Sequence, residues 1–268
     1  MQTGFYSNTG AMVTQFNRLD IVSNNLANVN TSGYKKDDVV IGDFLRLYKE
    51  KRDLLPIDNH TKDASKFLNR SIVRVPQIVE RYTNQETGAF EETSNPLDLA
   101  LKQEGLFFVV QTPSGIKYTR KGNFLLNEKG EIAMQEGDLV LNRQNNPIKI
   151  QQGYNIDIAS DGNIYAKNGE NLQENQSIGD IKVVRFENTK YLKKIGDNYF
   201  ETNKPEILMN GNNLIVQGYI EKSNVNAIRE MTSLIEINRL TGMHQKVMDT
   251  QMNELNSDAI SKLATIRV

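Results

Sequence analysis

The chain has 268 residues, of which 38% are hydrophobic and 24% are charged, so it carries enough apolar side chains for a packed core. Its 32 basic and 33 acidic residues leave a net charge of −1, without the basic surplus that is typical of nucleic-acid-binding proteins. The absence of cysteine excludes disulfides, thiol nucleophiles and thiolate metal sites.

Residues 1–34 are predicted to form an amphipathic helix with one apolar seam. Apolar side chains recur there at intervals of seven, and others occupy the half-heptad positions between them. Arg18 and Asp20 are the only charged residues of the segment. The first ten residues lack the pattern of a secretory leader, so none is predicted. The seam comprises Phe5, Met12, Leu19 and Leu26, with Phe16 and Val22 to Ser23 at the half-heptad positions.

Asparagine weakens this first helix. Six asparagines lie within residues 1–34, including Asn24, Asn25, Asn28 and Asn30, and asparagine is a poor helix former. We therefore expect the helix to be marginal alone and to stop near residues 31–33, with Gly33 as its C-terminal cap.

The segment 35–77 is predicted to be an extended, charged arm. It contains Pro56 and Pro76, which disfavour continuous helix, and a short helical piece is expected near Phe44 to Lys51. Residues 78–221 are different, because short apolar runs alternate there with turn signals such as Pro113 to Gly115 and Asp161 to Asn163. This pattern predicts an all-β domain of short strands, arranged as a sandwich or barrel.

The last segment, residues 222–268, is predicted to be helical again. Ser223 and Asn224 are candidates for its N-terminal cap, and Gly242 weakens its middle. Its apolar stripe runs through Ile228, Met231, Leu234, Ile235, Leu240, Met243, Val247, Met252, Leu255, Ala259, Leu263 and Ile266.

The predicted fold class is α+β, with a central β domain between two terminal helices. Neither helix can bury its stripe on itself, so we expect the two to pair as a coiled coil and to pass their remaining apolar surface to neighbouring molecules. The expected division is an N-terminal axial helix at 1–34, an arm at 35–77, a β domain at 78–221 and a C-terminal axial helix at 222–268.

The sequence offers little for catalysis, cofactor binding or metal binding. Its two histidines, His60 and His244, lie far apart in different predicted elements. Residues 157–168 resemble a calcium loop only faintly, since Ala159 and Asn168 stand where ligands are required. No catalytic, cofactor-binding or metal-binding residue is predicted, and no apolar run reaches the ~18 residues that would span a bilayer.

Four stretches closely resemble flagellar rod and hook proteins. The first runs from Ser23 to Lys35 and contains the asparagine pair, Leu-Ala-Asn, and a Thr-Ser-Gly-aromatic-basic ending that are typical of that family. The motif residues are Asn24, Asn25, Leu26, Ala27, Asn28, Gly33 and Tyr34. The other stretches are Asn95 to Ala100 running into Gly105 to Val109, Tyr118 to Arg120 followed by Gly122 to Phe124, and Gln217 to Glu221 leading into Ser223 to Asn226.

The resemblance implies a structural subunit of the basal-body rod that acts with copies of itself and with other rod and hook axial proteins. It implies paired terminal helices lining a hollow axial shaft that transmits torque, with the β domain outside. It also implies export in an unfolded state by the flagellar type III apparatus into the periplasmic space, without a cleaved signal peptide. The assembly interface is expected at Phe5, Met12, Phe16, Leu19, Leu26, Ile228, Met231, Ile235, Leu240, Val247, Leu255 and Leu263.

Two finer expectations follow from the resemblance. Family members carry an early aromatic-x-x-x-hydrophobic element that the export gate reads, and Phe44 to Tyr48 is the candidate here. Residues 224–232 look more like the proximal-rod members, with a distal-rod or hook-type subunit as the alternative. A β binding module on a coiled-coil stalk is the competing class, but a soluble stalk would carry charged flanks that residues 1–34 lack. No nucleic-acid partner and no membrane insertion are expected.

Overall fold

A computed structural model describes residues 2–43, 76–150, 155–167, 176–196, 198–211 and 213–264. Two long helices, α1 (Gln2–Ala27) and α2 (Ala227–Ala264), enclose a β-rich region in sequence, so the chain is α+β. The strands of the described residues are β1 (Asp37–Asp43), β2 (Pro76–Thr83), β3 (Phe90–Glu92), β4 (Leu99–Leu101), β5 (Leu106–Thr112), β6 (Gly115–Thr119), β7 (Leu125–Leu126), β8 (Ile132–Ala133), β9 (Leu139–Val140), β10 (Asn155–Ile158), β11 (Asn163–Lys167), β12 (Gln176–Asp180), β13 (Val183–Arg185), β14 (Lys193–Ile195), β15 (Tyr199–Glu201), β16 (Ile207–Leu208), β17 (Ile215–Gln217) and β18 (Tyr219–Glu221).

Both helix boundaries near the motifs differ from the predicted ones. α1 ends at Ala27, because a turn follows in which the Thr31 N–H donates to the Asn28 carbonyl at 3.2 Å. Gly33 therefore lies beyond the helix end and is not its C-terminal cap. α2 begins at Ala227, three residues after Asn224, whose side chain binds other backbone groups and does not cap the helix.

The largest sheet is antiparallel and is organised around β5. One edge of β5 pairs with β6, and its other edge is shared between β13 and β9. From there the order runs β14-β15-β6-β5-β9-β8-β7, and β16 pairs with β13. Smaller antiparallel sheets join β10, β11 and β12, β17 to β4, and β18 to β3.

β5 separates two hydrophobic clusters, and this explains its unbroken apolar sequence. Side chains alternate between the faces of a strand, so Leu106, Phe108 and Val110 enter one cluster while Phe107 and Val109 enter the other. All five side chains are fully buried. A strand with cores on both faces reads as continuous apolar residues, whereas a half-exposed strand alternates with polar ones.

The turn residues predict several connections correctly. The turn at Asp161 to Asn163 joins β10 to β11, and Gly162 there has φ +91°, which glycine adopts without strain. The Asn163 N–H donates to the Asp161 carboxylate at 3.0 Å, so this carboxylate organises the hairpin turn. The short apolar run at residues 148–150 forms no strand, because its pairing is limited to an isolated bridge between Glu131 and Lys149.

The described contacts group the chain into two units, and each unit combines parts of several of the four predicted segments. Of the described residues, 2–26, 37–43, 76–82 and 227–264 form the helical unit, and 27–36 together with those between 83 and 226 form the β unit. Within the helical unit, the Asn25 amide donates to the Asp37 carbonyl at 2.8 Å and accepts from the Asp37 N–H at 3.0 Å. Thr14 also donates to the Pro76 carbonyl at 2.9 Å, so both β1 and β2 begin beside α1.

Candidate assembly site

The residues predicted to form the apolar seam of α1 are for the most part only partly buried. Met12, Leu19 and Leu26 are half-buried, and Phe16 is 45% exposed. The side chain of Phe5 lies outside the described part of the structure. The buried side chains in the described part of α1 are Asn8, Thr14, Ile21, Val22 and Asn25, and of these Val22 alone belongs to the predicted seam.

α2 has an exposed apolar face opposite a covered one. Ile228, Met231 and Ile235 are 77%, 50% and 62% exposed, whereas Ile237 is fully buried. At about 100° per residue, Ile228 and Ile237 point in opposite directions from the helix axis. We call the set Ile228, Met231 and Ile235 the outer face of α2. Further along the helix, Leu240 is half-buried and Val247 is exposed, while the side chains of Leu255 and Leu263 lie outside the described part.

Polar groups join the two helices within the helical unit. The Asn8 amide donates to the His244 backbone carbonyl at 2.8 Å, and its Oδ1 lies 2.5 Å from His244 Nδ1. One residue further on, the Thr9 hydroxyl donates to Met248 Sδ at 3.6 Å. Neither Asn8 nor Thr9 belongs to the apolar periodicity from which the seam was predicted.

The β unit contains a second cluster, which we call the junction: residues 33–36, 84–88, 120 and 221–224. Its centre is the Glu221 carboxylate, with Lys35 and Arg120 as cationic partners. Lys35 Nζ donates to Glu221 Oε1 at 2.6 Å, while Arg120 Nε and Nη2 lie 2.8 and 2.7 Å from Oε2. All three side chains are at most 1% exposed.

Burial of these charges is compensated by a dense set of hydrogen bonds. The Arg120 guanidinium donates to the carbonyls of Gln103, Leu106 and Leu101 at 2.7, 2.9 and 3.2 Å. Lys35 Nζ donates to the carbonyl of Glu86 at 2.6 Å. Burial lowers the pKa of Lys35 below its usual value, and the charge of Glu221 opposes that change.

Gly33 and Tyr34 fit the junction closely. The Gly33 N–H donates to the Glu221 backbone carbonyl at 2.7 Å, and its φ of +66° lies in the left-handed region. A Cβ on Gly33 would lie 2.5 Å from the carbonyl carbon of Arg120, so only glycine fits there. Tyr34 is buried, and Lys194 Nζ lies 3.6 Å above the centre of its ring in a cation–π contact.

The Asn224 side chain binds three backbone groups in two other segments of the junction. Its Oδ1 accepts from the Lys36 N–H at 2.7 Å, and its Nδ2 donates to the carbonyls of Asn84 and Glu86 at 3.0 and 3.1 Å. The backbone N–H of Asn224 donates to the Tyr34 carbonyl at 3.3 Å. This side chain thus joins the segment that follows α1 to the segment that precedes α2.

The remaining motif residues have different roles. Asn25 is buried between α1 and β1, Asn28 accepts the turn hydrogen bonds of Thr31, and Asn24 and Ala27 are exposed. The candidate export element at Phe44 to Tyr48 lies outside the described residues. The sequence predicted no role for Lys35, Arg120 or Glu221 and only a helix cap for Asn224, although each stands inside one of the four family-like stretches.

The described residues contain no group of three or more histidine, aspartate and glutamate side chains that could hold a metal ion. Nor does the described part of the chain include a helix with the length and apolar character needed to cross a membrane.

Three family models match the chain. They are the flagellar hook protein FlgE/F/G D1 domain over residues 102–166, the flagellar basal body rod FlgEFG protein C-terminal region over residues 216–261, and the flagella basal body rod protein over residues 5–35. All three describe flagellar proteins, and none is a catalytic family.

Individual relatives match over almost the whole chain. The chain is 30% identical to the flagellar basal-body rod protein FlgG of Bacillus subtilis, covering 93% of this chain and 95% of that protein. It is 31% identical to FlgG of Buchnera aphidicola from Baizongia pistaciae, covering 90% and 92%. It is also 30% identical to the rod protein FlgF of Caulobacter vibrioides, covering 99% and 100%.

Proposed function

Since the chain belongs to the flagellar basal-body rod protein family and is a structural subunit of the rod, we propose that it polymerises through its terminal helices. In this proposal α1 and α2 pair as a coiled coil that lines a hollow axial shaft, and the shaft transmits torque. No step of the proposed function is catalytic.

The outer face of α2 is the observation that carries the proposal. Three apolar side chains on successive turns are half or more exposed, while the opposite face of the same helix is covered at Ile237. Removing apolar area from water stabilises an interface by about 25 cal/mol per Å², so such a face favours association. The rod proteins to which the chain is similar make a second axial subunit the expected occupant, either another copy or a related rod or hook protein.

The contacts of Asn8 and Thr9 support coiled-coil pairing of the two helices. Asn8 lies 19 residues before the end of α1, and His244 lies 17 residues after the start of α2. Helices that run antiparallel from adjacent ends bring such positions side by side. A polar pair inside a seam fixes the register of a coiled coil at some cost in stability, and the reciprocal Asn8–His244 contact is suited to that role.

The family also suggests how the subunit reaches its place. We propose export by the flagellar type III apparatus to the periplasmic part of the rod, without a cleaved signal peptide, with Phe44 to Tyr48 as the element that the export gate reads. The relatives include both FlgG and FlgF proteins at similar identity. The likeness of residues 224–232 to proximal-rod members favours a proximal position, and a distal-rod or hook-type position is the alternative.

The test is to place one charge on the outer face of α2. Ile235→Asp should abolish incorporation into basal bodies and motility, because an unpaired carboxylate would be buried between subunits. The far-ultraviolet circular dichroism and melting temperature of the free subunit should stay unchanged, since Ile235 is exposed there.

The matched control is Asn238→Asp, which adds the same charge to an exposed polar position of α2. This variant should incorporate normally. Normal motility of the Ile235→Asp strain would contradict polymerisation through this face.

A further inference from the structure

We propose that Glu221 is a positioning residue that holds the segment following α1 against the segment preceding α2, so that the two helices start from one place before they pair. This inference rests on the proposed function, because the helix pairing that it prepares belongs to that function.

Glu221 is suited to this role because one carboxylate serves two buried cations. Its Oε1 accepts from Lys35 Nζ at 2.6 Å and from the Gly88 N–H at 2.9 Å. Its Oε2 accepts from the Arg120 guanidinium. A carboxylate has about four acceptor positions, so Glu221 is saturated. Loss of its charge would leave Lys35 and Arg120 as buried cations without a directly bound carboxylate, with Glu104 as a weaker counter-charge to both, and this is strongly unfavourable.

The contacts of Glu221 join parts of the chain that are far apart in sequence. Lys35 and Glu221 are separated by 186 residues. The Gly33 N–H donates to the Glu221 backbone carbonyl, and the Lys36 N–H donates to Asn224 three residues further on. Gly33 follows the last residue of α1 by six positions, and Asn224 precedes the first residue of α2 by three.

The physical consequence is a higher effective concentration of one helix for the other. When the ends of the two helices are held close together, each helix has a high local concentration for the other. Folding of the β unit has then already supplied most of the entropy cost of bringing these ends together. An apolar contact would also bring the segments together, but a buried ion pair accepts only a partner of the right charge and geometry. In some proteins, buried ionic groups provide conformational specificity of this kind.

Arg120 and Lys35 differ in how they depend on Glu221. Arg120 keeps three backbone carbonyls when the carboxylate is neutralised, whereas Lys35 keeps only the carbonyl of Glu86 among its described partners. The defect of a neutral Glu221 should therefore arise mainly at Lys35. Replacing Lys35 by an apolar residue of similar length should relieve it.

A disulfide reports helix pairing directly, because the natural chain contains no cysteine. The background is the full chain with Thr9→Cys and Met248→Cys, chosen because the native Thr9 hydroxyl oxygen lies 3.6 Å from Met248 Sδ. The rate of disulfide formation in a fixed glutathione buffer is measured on the dilute monomer. Adding Glu221→Gln should slow this rate about tenfold, through the loss of effective concentration.

The matched control is Glu91→Gln. Glu91 lies on β3, beside β18, and pairs with Lys222 in a bridge whose two side chains are about half exposed. Exposed ion pairs contribute little, so the rate should stay within about twofold of the background.

Two further readouts separate positioning from general loss of structure. Adding Lys35→Met to Glu221→Gln should restore most of the rate. The rate of the Glu221→Gln protein, relative to the background at the same pH, should also recover as pH rises toward 10.5. Without the charge of Glu221, burial lowers the pKa of Lys35 in the folded state further below its usual value of 10.5. Between the lowered pKa and 10.5, the folded state loses the Lys35 proton before the unfolded state does, so the stability of the variant rises with pH.

The outcomes distinguish this inference from the proposed function. If the background itself fails to form the disulfide, helix pairing is wrong and the inference fails with it. If the background forms it and Glu221→Gln forms it equally fast, the inference alone is overturned. If Glu221→Gln unfolds the β unit by near-ultraviolet circular dichroism, the milder Asn224→Ser decides, since it removes bonds to Lys36, Asn84 and Glu86 without burying a charge. A slower rate in Asn224→Ser supports positioning by the junction, and an unchanged rate overturns it.

Discussion

At the scale of single residues, Gly33 shows why a short motif can have a strict requirement. Its backbone occupies the left-handed region, and its missing side chain lets the chain pass against the backbone of Arg120 and Lys121. The first condition disfavours any other residue by about 1–2 kcal/mol. The second excludes a side chain because the opposing atoms belong to the backbone and cannot turn aside.

Gly33→Ala is therefore expected to destabilise the protein by more than the left-handed conformation alone requires. The control is Gly105→Ala, at a nearly equal φ of +72° but with its closest prospective neighbour at 3.9 Å. In urea unfolding, Gly105→Ala should lower the free energy of unfolding by about 1–2 kcal/mol, and Gly33→Ala should lower it clearly further. Equal losses would mean that the close approach to Arg120 has no energetic consequence.

The same scale explains why the three charged residues of the junction had no predicted role. Lys35, Arg120 and Glu221 read as ordinary polar residues of short strands and turns, and Asn224 was predicted only as a helix cap. Charged side chains are almost never fully buried unless they are paired, and the pairing partners here lie up to 186 residues apart. No pattern of neighbouring residues in the sequence predicts so distant a partner.

At the scale of elements, the helices combine apolar and polar surfaces in a way that heptad spacing only partly describes. Most described seam residues of α1 are half-buried or exposed, and its deepest positions include Thr14 and Asn25, which bind the backbone at Pro76 and Asp37. The covered side of α1 thus holds β1 and β2 by hydrogen bonds. Apolar periodicity identifies the helix correctly but not the partner of each face.

Asn8 is expected to fix the register of the two helices. Asn8→Leu should preserve helix content but allow pairing in shifted registers. A polar residue at a helix–helix contact disfavours any register in which it loses its polar partner, which for Asn8 is His244. Two cysteine pairs measure this, Thr9→Cys with Met248→Cys for the native register and Thr9→Cys with Gln251→Cys for a shift of about one turn.

In Asn8→Leu the second pair should gain disulfide relative to the first. Asn17→Leu, at an exposed position of α1, serves as the control and should leave the ratio unchanged. A constant ratio in Asn8→Leu would show that register is set elsewhere.

At the scale of the whole molecule, the folding unit around the sheets is larger than the predicted segment 78–221. The β unit also contains residues 27–36, which follow α1, and residues 222–226, which precede α2. These additions supply Gly33, Lys35 and Asn224. The part of the first motif that follows α1, including Gly33 and Lys35, therefore belongs to the β unit, although it comes directly after the helix in the sequence.

A fragment of residues 27–226 should accordingly be more stable than a fragment of residues 78–221. The shorter fragment retains Glu221 and Arg120 but loses Lys35 and the bonds of Asn224. A loss of ~3 kcal/mol would lower the melting temperature by about 10 °C in a domain of this size. Circular dichroism melting measures the difference, and Glu221→Gln in the longer fragment should lower its melting temperature toward that of the shorter one. Equal melting temperatures for the two unmodified fragments would contradict the division into these units.

Local sequence patterns were enough to predict the types of secondary structure and the family. Apolar spacing predicted a helix at each end, turn residues such as those at 161–163 predicted the hairpins between short strands, and four stretches indicated rod and hook proteins. These features are local, since a few neighbouring residues decide whether a segment forms a helix, a strand or a turn. Tertiary structure alone decided that α1 ends at Ala27, that Gly33 serves the junction, and that Glu221 receives Lys35 and Arg120. Such contacts depend on which distant segments fold against each other, and no periodicity within a segment encodes them.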